Sequence, residues 1–328
     1  MVSVGPVRDS VEQINNTSWF IGSKYILRHV QGSHAGEYLQ RNSDGSSYTL
    51  SVAPAILPEA GPISQTGHAR QVHDAGDASA VFSFGSALIL KVKLIDDGNK
   101  SQEHEILAFL AQQQLSFKIP KVLFHAIEGD RIYLFEPHMP GRRLNEAWWE
   151  MDTQEQQHIS TRVAHIFSEP ALPTGKRCSE LRAFEFHSMT GVDYSWMDPL
   201  REPIERDYSP AALQKHCKEL GMDCSTYVLS HNDLGPTNIL INGDQIAVID
   251  WDLAGYCPLA WVRTKFAVCG ALDVERISAT GEESDSAYRI QIERKLGHMG
   301  FPEVTEAYKK LEKARRTEWI ARRPWLND

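Results

Sequence analysis

Apolar residues recur along this chain with two different periods, and the change of period divides it. From residue 71 to 135 they come in short runs, Ala80-Val81-Phe82-Ser83-Phe84, Leu88 to Leu94, Lys121 to Ala126 and Arg131 to Phe135, which predict strands. One helix interrupts them, over Ser101 to Leu110, with apolar residues at 106, 107 and 110. Farther on the period is helical. Asp152-Thr153-Gln154-Glu155 has the form of an N-terminal cap, followed by Ile159, Val163, Ile166 and Phe167. Ser209-Pro210 opens another helix, with Leu213, Cys217 and Leu220 inward and Gly221 at its end. Glu303 to Ile320 makes a last amphipathic one through Val304, Ala307, Tyr308, Leu311, Ala314 and Trp319. The pattern predicts an α+β fold, with a small β-rich part over 71–138 and a larger, mainly helical part over 139–328. Residues 1–70 read as an N-terminal extension whose order the pattern leaves open. It holds a strand around Ser23 to Val30, a turn over Asn42 to Ser47, and a Pro- and Gly-punctuated connector from Ala53 to Gly67.

One stretch of the helical part breaks its own rule. Ile239-Leu240-Ile241 and Ile246-Ala247-Val248-Ile249 are short apolar runs around Asn242-Gly243-Asp244-Gln245. Asn-Gly is a strong hairpin signal, because both residues tolerate positive φ. Such a hairpin returns Asp250 beside Asn238. Upstream stands Ser230-His231-Asn232-Asp233-Leu234-Gly235-Pro236-Thr237-Asn238, so the spacing is His-x-Asp-x4-Asn, then an apolar run ending in Asp. Phosphoryl transfer needs this set: a carboxylate to orient the attacking hydroxyl, and a carboxamide with a second carboxylate to hold magnesium against nucleotide phosphates. Asp233, Asn238 and Asp250 supply them in that order. A hairpin whose Asp and Asn merely cap turns explains the residue types but not their offsets.

Such a site also calls for a lysine and a glutamate upstream. Leu88-Ile89-Leu90-Lys91-Val92-Lys93-Leu94 carries two lysines on one strand face, and Glu103 and Glu105 open the helix that follows. Lys91 is the candidate for the α- and β-phosphates and Glu103 for its ion-pair partner; taken alone, the same residues also describe an ordinary surface pair. Asp74-Ala75-Gly76-Asp77-Ala78-Ser79 is a small-residue turn with a single glycine, Gly76. It fits a phosphate cradle of backbone amides and a plain hairpin turn equally.

The catalytic stretch and the strand ending in Asp250 resemble those of the aminoglycoside phosphotransferase and choline kinase-like superfamily, and more narrowly its fungal phosphotransferase-family branch. The narrower likeness includes Trp19-Phe20-Ile21-Gly22, Asp74 to Phe84, and the six-residue offset from Glu103 to Phe109. The loop commonly reads His-Gly-Asp in that superfamily; Asn232 stands here in place of the glycine. The resemblance implies a bilobal protein-kinase-like fold, with nucleotide in the cleft between a β-rich N-lobe and a helical C-lobe. It implies Asp233 as the catalytic carboxylate, His231 as a brace for the loop, and Asn238 and Asp250 as magnesium ligands. Backbone at Glu136 and Met139, in the connection Glu136 to Leu144, would meet the nucleotide base. The donor expected is ATP, with GTP left open, and the acceptor a small-molecule hydroxyl. A protein kinase fits less well, since the chain has Ile249-Asp250-Trp251 in place of Asp-Phe-Gly and no Ala-Pro-Glu element. A nucleotide-binding pseudokinase acting as a scaffold could keep the same five polar residues.

Composition narrows the classes. The 328 residues are 42% hydrophobic and carry a formal net charge of -9, which opposes a general nucleic-acid binder. Five cysteines, Cys178, Cys217, Cys224, Cys257 and Cys269, lack paired spacing, and reduced thiols in a cytoplasmic protein are expected. No apolar run reaches membrane-spanning length. The segment from Phe184 to Tyr208 contains Asp193, Tyr194, Trp196, Asp198, Glu202 and Glu205; it reads as a solvated loop or as an acidic, aromatic wall for a cationic amine. Oligomeric state and acceptor identity leave no mark on the sequence.

Overall fold

A computed structural model describes residues 5–32, 38–64, 66–95, 102–169, 174–175, 215, 217–225, 227–278 and 281–321. The segment from Phe184 to Tyr208, Leu213 and Cys178 lie outside the described residues. The chain forms two compact units, one of residues 1–98 and 120–140, the other of residues 99–119 and 141–328. The architecture is α+β, β-rich in its N-terminal part and helical in its C-terminal part, as expected of a protein-kinase-like fold.

In the first unit, β1 (Val11–Asn15), β2 (Ser18–Ile21), β3 (Tyr25–Val30), β4 (Gln40–Arg41), β5 (Ser47–Val52) and β6 (Gly61–Pro62) form an antiparallel sheet in the order β4-β5-β3-β2-β1-β6. The predicted strand from Ser23 to Val30 is β3, and it has a whole sheet for company. A second antiparallel sheet runs β10-β11-β9-β8-β7, from β7 (Ala69–Asp74), β8 (Ser79–Phe84), β9 (Leu88–Leu94), β10 (Phe124–Glu128) and β11 (Arg131–Pro137). The two sheets share one apolar core. Trp19, Leu27 and Tyr48 from the first pack with Phe82, Phe84, Leu90 and Phe135 from the second. Trp19 meets Phe84 edge-on at 5.3 Å, and the buried Tyr48 hydroxyl donates to the Phe84 carbonyl at 2.8 Å. Burying a large side chain of this kind contributes about 1.5–3 kcal/mol, and that is why residues so thinly patterned still fold.

The second unit holds helices α1 (Glu103–Leu110), α2 (Leu144–Ala147), α3 (Thr153–Ile166), α4 (Leu259–Val268), α5 (Ala287–His298) and α6 (Thr305–Ala321). Gln102 caps α1 reciprocally with Glu105, and Ile106, Leu107 and Leu110 are buried as their spacing predicts. Asp152 caps α3, accepting from the amides of Gln154 and Glu155 at 2.8 and 2.9 Å. Three small sheets complete the unit: β12 (Arg142–Arg143) with β15 (Ile239–Asn242) and β16 (Gln245–Val248); β13 (Thr174–Gly175) with β14 (Tyr227–Ser230) and β17 (Gly255–Pro258); and the hairpin of β18 (Val274–Ser278) and β19 (Gly281–Asp285). Cys217 and Leu220 are buried, and Gly221 takes φ +79°, as a helix end requires. Among the described residues, no helix is long and apolar enough to cross a membrane, and the four described cysteines form no disulfide.

Gly141 shows how tightly backbone meets backbone in this unit. It has φ +128°, and a Cβ there would lie 2.8 Å from the Ile241 carbonyl oxygen on β15. Gly141→Ala is expected to cost at least about 1–3 kcal/mol, from the forbidden φ alone, read as a lowered denaturation midpoint.

Candidate active site

The β15–β16 hairpin forms with a change in the expected turn. Asn242 pairs with Gln245, so the two loop residues are Gly243 and Asp244, and of these Gly243 alone has positive φ, +57°. The glycine therefore leads the turn, the position a II′ loop needs, and Asn242 ends the strand. Ile239 faces Val248, and the Ile249 amide donates to the Asn238 carbonyl at 3.0 Å. Asp250 follows directly, so hairpin register brings it beside Asn238 as the sequence spacing requires.

Backbone conformation marks the same place. Among the described residues only two non-glycines take positive φ, Asn232 at 62° and Asp250 at 63°. Left-handed backbone costs a residue with a Cβ free energy, and Asn and Asp bear that cost best. Asn232 therefore stands in a backbone conformation that glycine and asparagine both tolerate.

Asp233 lies in a net of hydrogen bonds. The Asn238 carboxamide nitrogen donates to Asp233 Oδ2 at 3.0 Å and to its backbone carbonyl at 2.8 Å. The His231 ring is buried, with Nδ1 accepting the Asp233 amide at 3.2 Å and Nε2 2.9 Å from the Ile249 carbonyl. An acceptor at Nδ1 requires a neutral ring with its proton on Nε2. Burial pushes the His231 pKa down, in the same direction. His231 therefore ties the Asp233 loop to the residue preceding Asp250.

The donor set fits a hard divalent cation. Asn238 spends its amide nitrogen on Asp233, so its Oδ1 would be the atom offered to such a cation, and Asp250 would add a carboxylate. Magnesium is commonly held by just such a small number of protein oxygens, the rest of its shell being phosphate and water. Among the described residues there is no cluster of three or more His, Cys, Asp or Glu that could bind a metal alone.

Glu103, the first residue of α1, is 5% exposed, and its Oε1 accepts the Trp251 amide at 2.9 Å. It thus holds the turn that follows Asp250. Trp251 is itself buried, stacked on Phe117 at 6.1 Å and edge-on to His231 at 4.7 Å.

The other candidates lie in the first unit. Lys91 is buried in the middle of β9, and its Nζ is 3.7 Å from Glu136 Oε2 on β11. Leu134 faces Lys91 and Glu136 faces Ile89, so the two charges are diagonal neighbours on one sheet face. Glu136, expected to matter through its backbone, has a side-chain role that the sequence reading did not include. Met139 is half-buried just beyond β11. Gly76 tops the β7–β8 hairpin with φ +67°. The acidic residues around it are engaged by Arg8, whose guanidinium lies 3.4 Å from Asp74 and 2.9 Å from Asp77.

Three residues that touch this machinery escaped the sequence reading: Arg8, Lys265 and Tyr288. Lys265 had a usable signal, since α4 buries Ala260, Trp261, Val262, Thr264 and Phe266 around much of its circumference. A cation on a helix apolar nearly all round calls for a partner.

A family profile described as the phosphotransferase enzyme family matches residues 71–261. No curated protein sequence matches the chain. Among solved structures, the chain is similar to APH(2")-IIa in its complex with streptomycin and ATP, at 16% identity and TM-score 0.46, over 70% of this chain and 77% of that one. It is also similar to a choline/ethanolamine kinase family protein from Mesorhizobium loti, at 14% identity and TM-score 0.40, over 71% and 70%. A third is the aminoglycoside phosphotransferase APH(3'')-Id from Streptomyces rimosus with ADP and streptomycin, at 15% identity and TM-score 0.40, over 71% and 88%. The profile spans well over half of the 328 residues and contains Asp233, Asn238 and Asp250, and the chain belongs to the phosphotransferase enzyme family.

Proposed function

We propose that the protein is a small-molecule kinase of the cytoplasm, of the fungal phosphotransferase branch, that moves the terminal phosphoryl group of ATP or GTP to an alcohol hydroxyl. Asp233 accepts the hydroxyl proton as the acceptor oxygen bonds to the terminal phosphorus and the bridging oxygen leaves with the nucleoside diphosphate. Asn238 keeps the carboxylate aimed through its bond to Oδ2. Asn238 and Asp250 would hold magnesium, which would supply neutralisation of the phosphate charge. Lys91 adds positive charge toward the α- and β-phosphates, backbone near Gly76 covers them, and the segment of Glu136 and Met139 meets the base. Glu103 supports the reaction from α1.

The observation that carries this reading is the bonding of Asn238 to Asp233 beside two left-handed residues, Asn232 and Asp250. A hairpin stabilised for its own sake needs neither. The test is nucleotide consumption by the full chain with magnesium, ATP or GTP, and a panel of amino alcohols, polyols and aminoglycosides. The expected result is magnesium-dependent formation of nucleoside diphosphate and phosphorylated alcohol in equal amounts. Absence of both nucleotide binding and consumption overturns the proposal in favour of a scaffold.

A further inference from the structure

Three successive carbonyls in the catalytic loop are each taken by a side chain. Lys265 Nζ, on α4, donates to the Asn232 carbonyl. Asn238 donates to that of Asp233 at 2.8 Å. Tyr288 Oη, on α5, donates to that of Leu234 at 3.0 Å. The bonds from Lys265 and Tyr288 therefore flank the catalytic carboxylate in sequence, one on each side, and come from different helices.

We infer that Lys265 and Tyr288 are positioning residues that clamp the loop so that Asp233 is presented in one geometry, a role that rests on the proposed function for its catalytic consequence. The clamp has a physical need. Asn232 is held in left-handed backbone, and its carboxamide is buried with no protein partner for either polar atom, so its own side chain does not fix the turn. A loop strained in this way relaxes unless its surroundings over-determine it. Lys265 and Tyr288 supply that constraint from regular elements, which place groups more accurately than loops do. They are themselves anchored. Tyr288 is fully buried and packs edge-on against Trp148 at 5.7 Å, and the next residue, Arg289, donates to the Phe266 and Ala267 carbonyls of α4 at 2.8 and 3.0 Å. The two helices thus hold each other and the loop. Burial lowers the Lys265 pKa while the Asp233 carboxylate opposes that shift, so the amine and the carboxylate lie close enough to interact.

The test compares full-length wild type with Lys265→Met, Tyr288→Phe and the double variant. Amide hydrogen exchange is followed in the peptide over residues 229–238, together with nucleotide affinity and magnesium-dependent ATP turnover with water as acceptor. Tyr288→Phe removes one hydroxyl and keeps the packing, so it remains informative should Lys265→Met not fold. Expected are faster exchange confined to that peptide, unchanged ATP affinity, and turnover reduced on the order of 10- to 100-fold, the scale of a small misplacement of a reacting group. Loop exchange equal to wild type in the folded variants overturns the clamp, whatever the turnover. Faster loop exchange in a protein whose wild type neither binds nor consumes nucleotide, with the acceptor panel present, upholds the clamp and overturns the proposed function instead.

Discussion

Asp233→Asn is expected to lower phosphoryl transfer by about 10²- to 10⁴-fold, the range lost when a positioned general base is removed, with nucleotide affinity and fold intact. The substitution is isosteric. A carboxamide at this position can still turn its oxygen to the Asn238 nitrogen now 3.0 Å from Oδ2, so the local net survives. It cannot take up a proton at neutral pH, so the acceptor hydroxyl must lose its proton unaided. The loss should therefore fall on kcat and kcat/KM together, as for an interaction made only in the transition state. Measured transfer equal to wild type, with folded protein confirmed by its unfolding midpoint, removes Asp233 from the role. Asp233→Ala would be a poorer probe, since it also leaves Asn238 without its side-chain acceptor.

Trp251→Ala is expected to cost about 3–5 kcal/mol of stability, the range for emptying a buried aromatic site. Trp251 is 1% exposed, and its indole N–H donates to the Val248 carbonyl at 3.0 Å. Phe117 and His231 both lose their ring contact, and the latter braces the Asp233 loop. The same change should loosen the backbone that Glu103 holds, since the Trp251 amide follows Asp250 directly. Urea unfolding decides the matter: the midpoint should fall with an unchanged m-value. Trp251→Phe should recover part of the difference, because it restores a ring against Phe117 but not the bond to Val248. A midpoint within error of wild type for the alanine variant would mean that the ring packs far less closely than its burial indicates.

Local patterning carried much of the second unit. The cap of α3, the inward residues of α1 and α3, and the β15–β16 hairpin are short-range features, and they formed where spacing and capping chemistry put them. The candidate loop was legible for the same reason, since His231, Asp233 and Asn238 bond within a few residues of one another. Where the reading fell short, the needed information was long-range. The first sheet of the N-terminal unit depends on Trp19 and Tyr48 meeting strands that lie tens of residues later, and its own strands are short and poorly alternating.

From residue order alone follow the α+β class, helices α1, α3 and α6, the β15–β16 hairpin, and the cluster of Asp233, Asn238 and Asp250 as candidates for phosphoryl transfer, because each rests on hydrogen bonds and periodicities spanning one turn or one hairpin. Tertiary structure alone paired Lys91 with Glu136 through the register of β9 and β11, engaged Asp74 and Asp77 with Arg8, and set Lys265 and Tyr288 on the carbonyls either side of Asp233. Those contacts join residues up to 69 positions apart. Burial and strand register select such partners only once the whole core has closed, and a one-residue slip in register would turn each sheet residue to the other face.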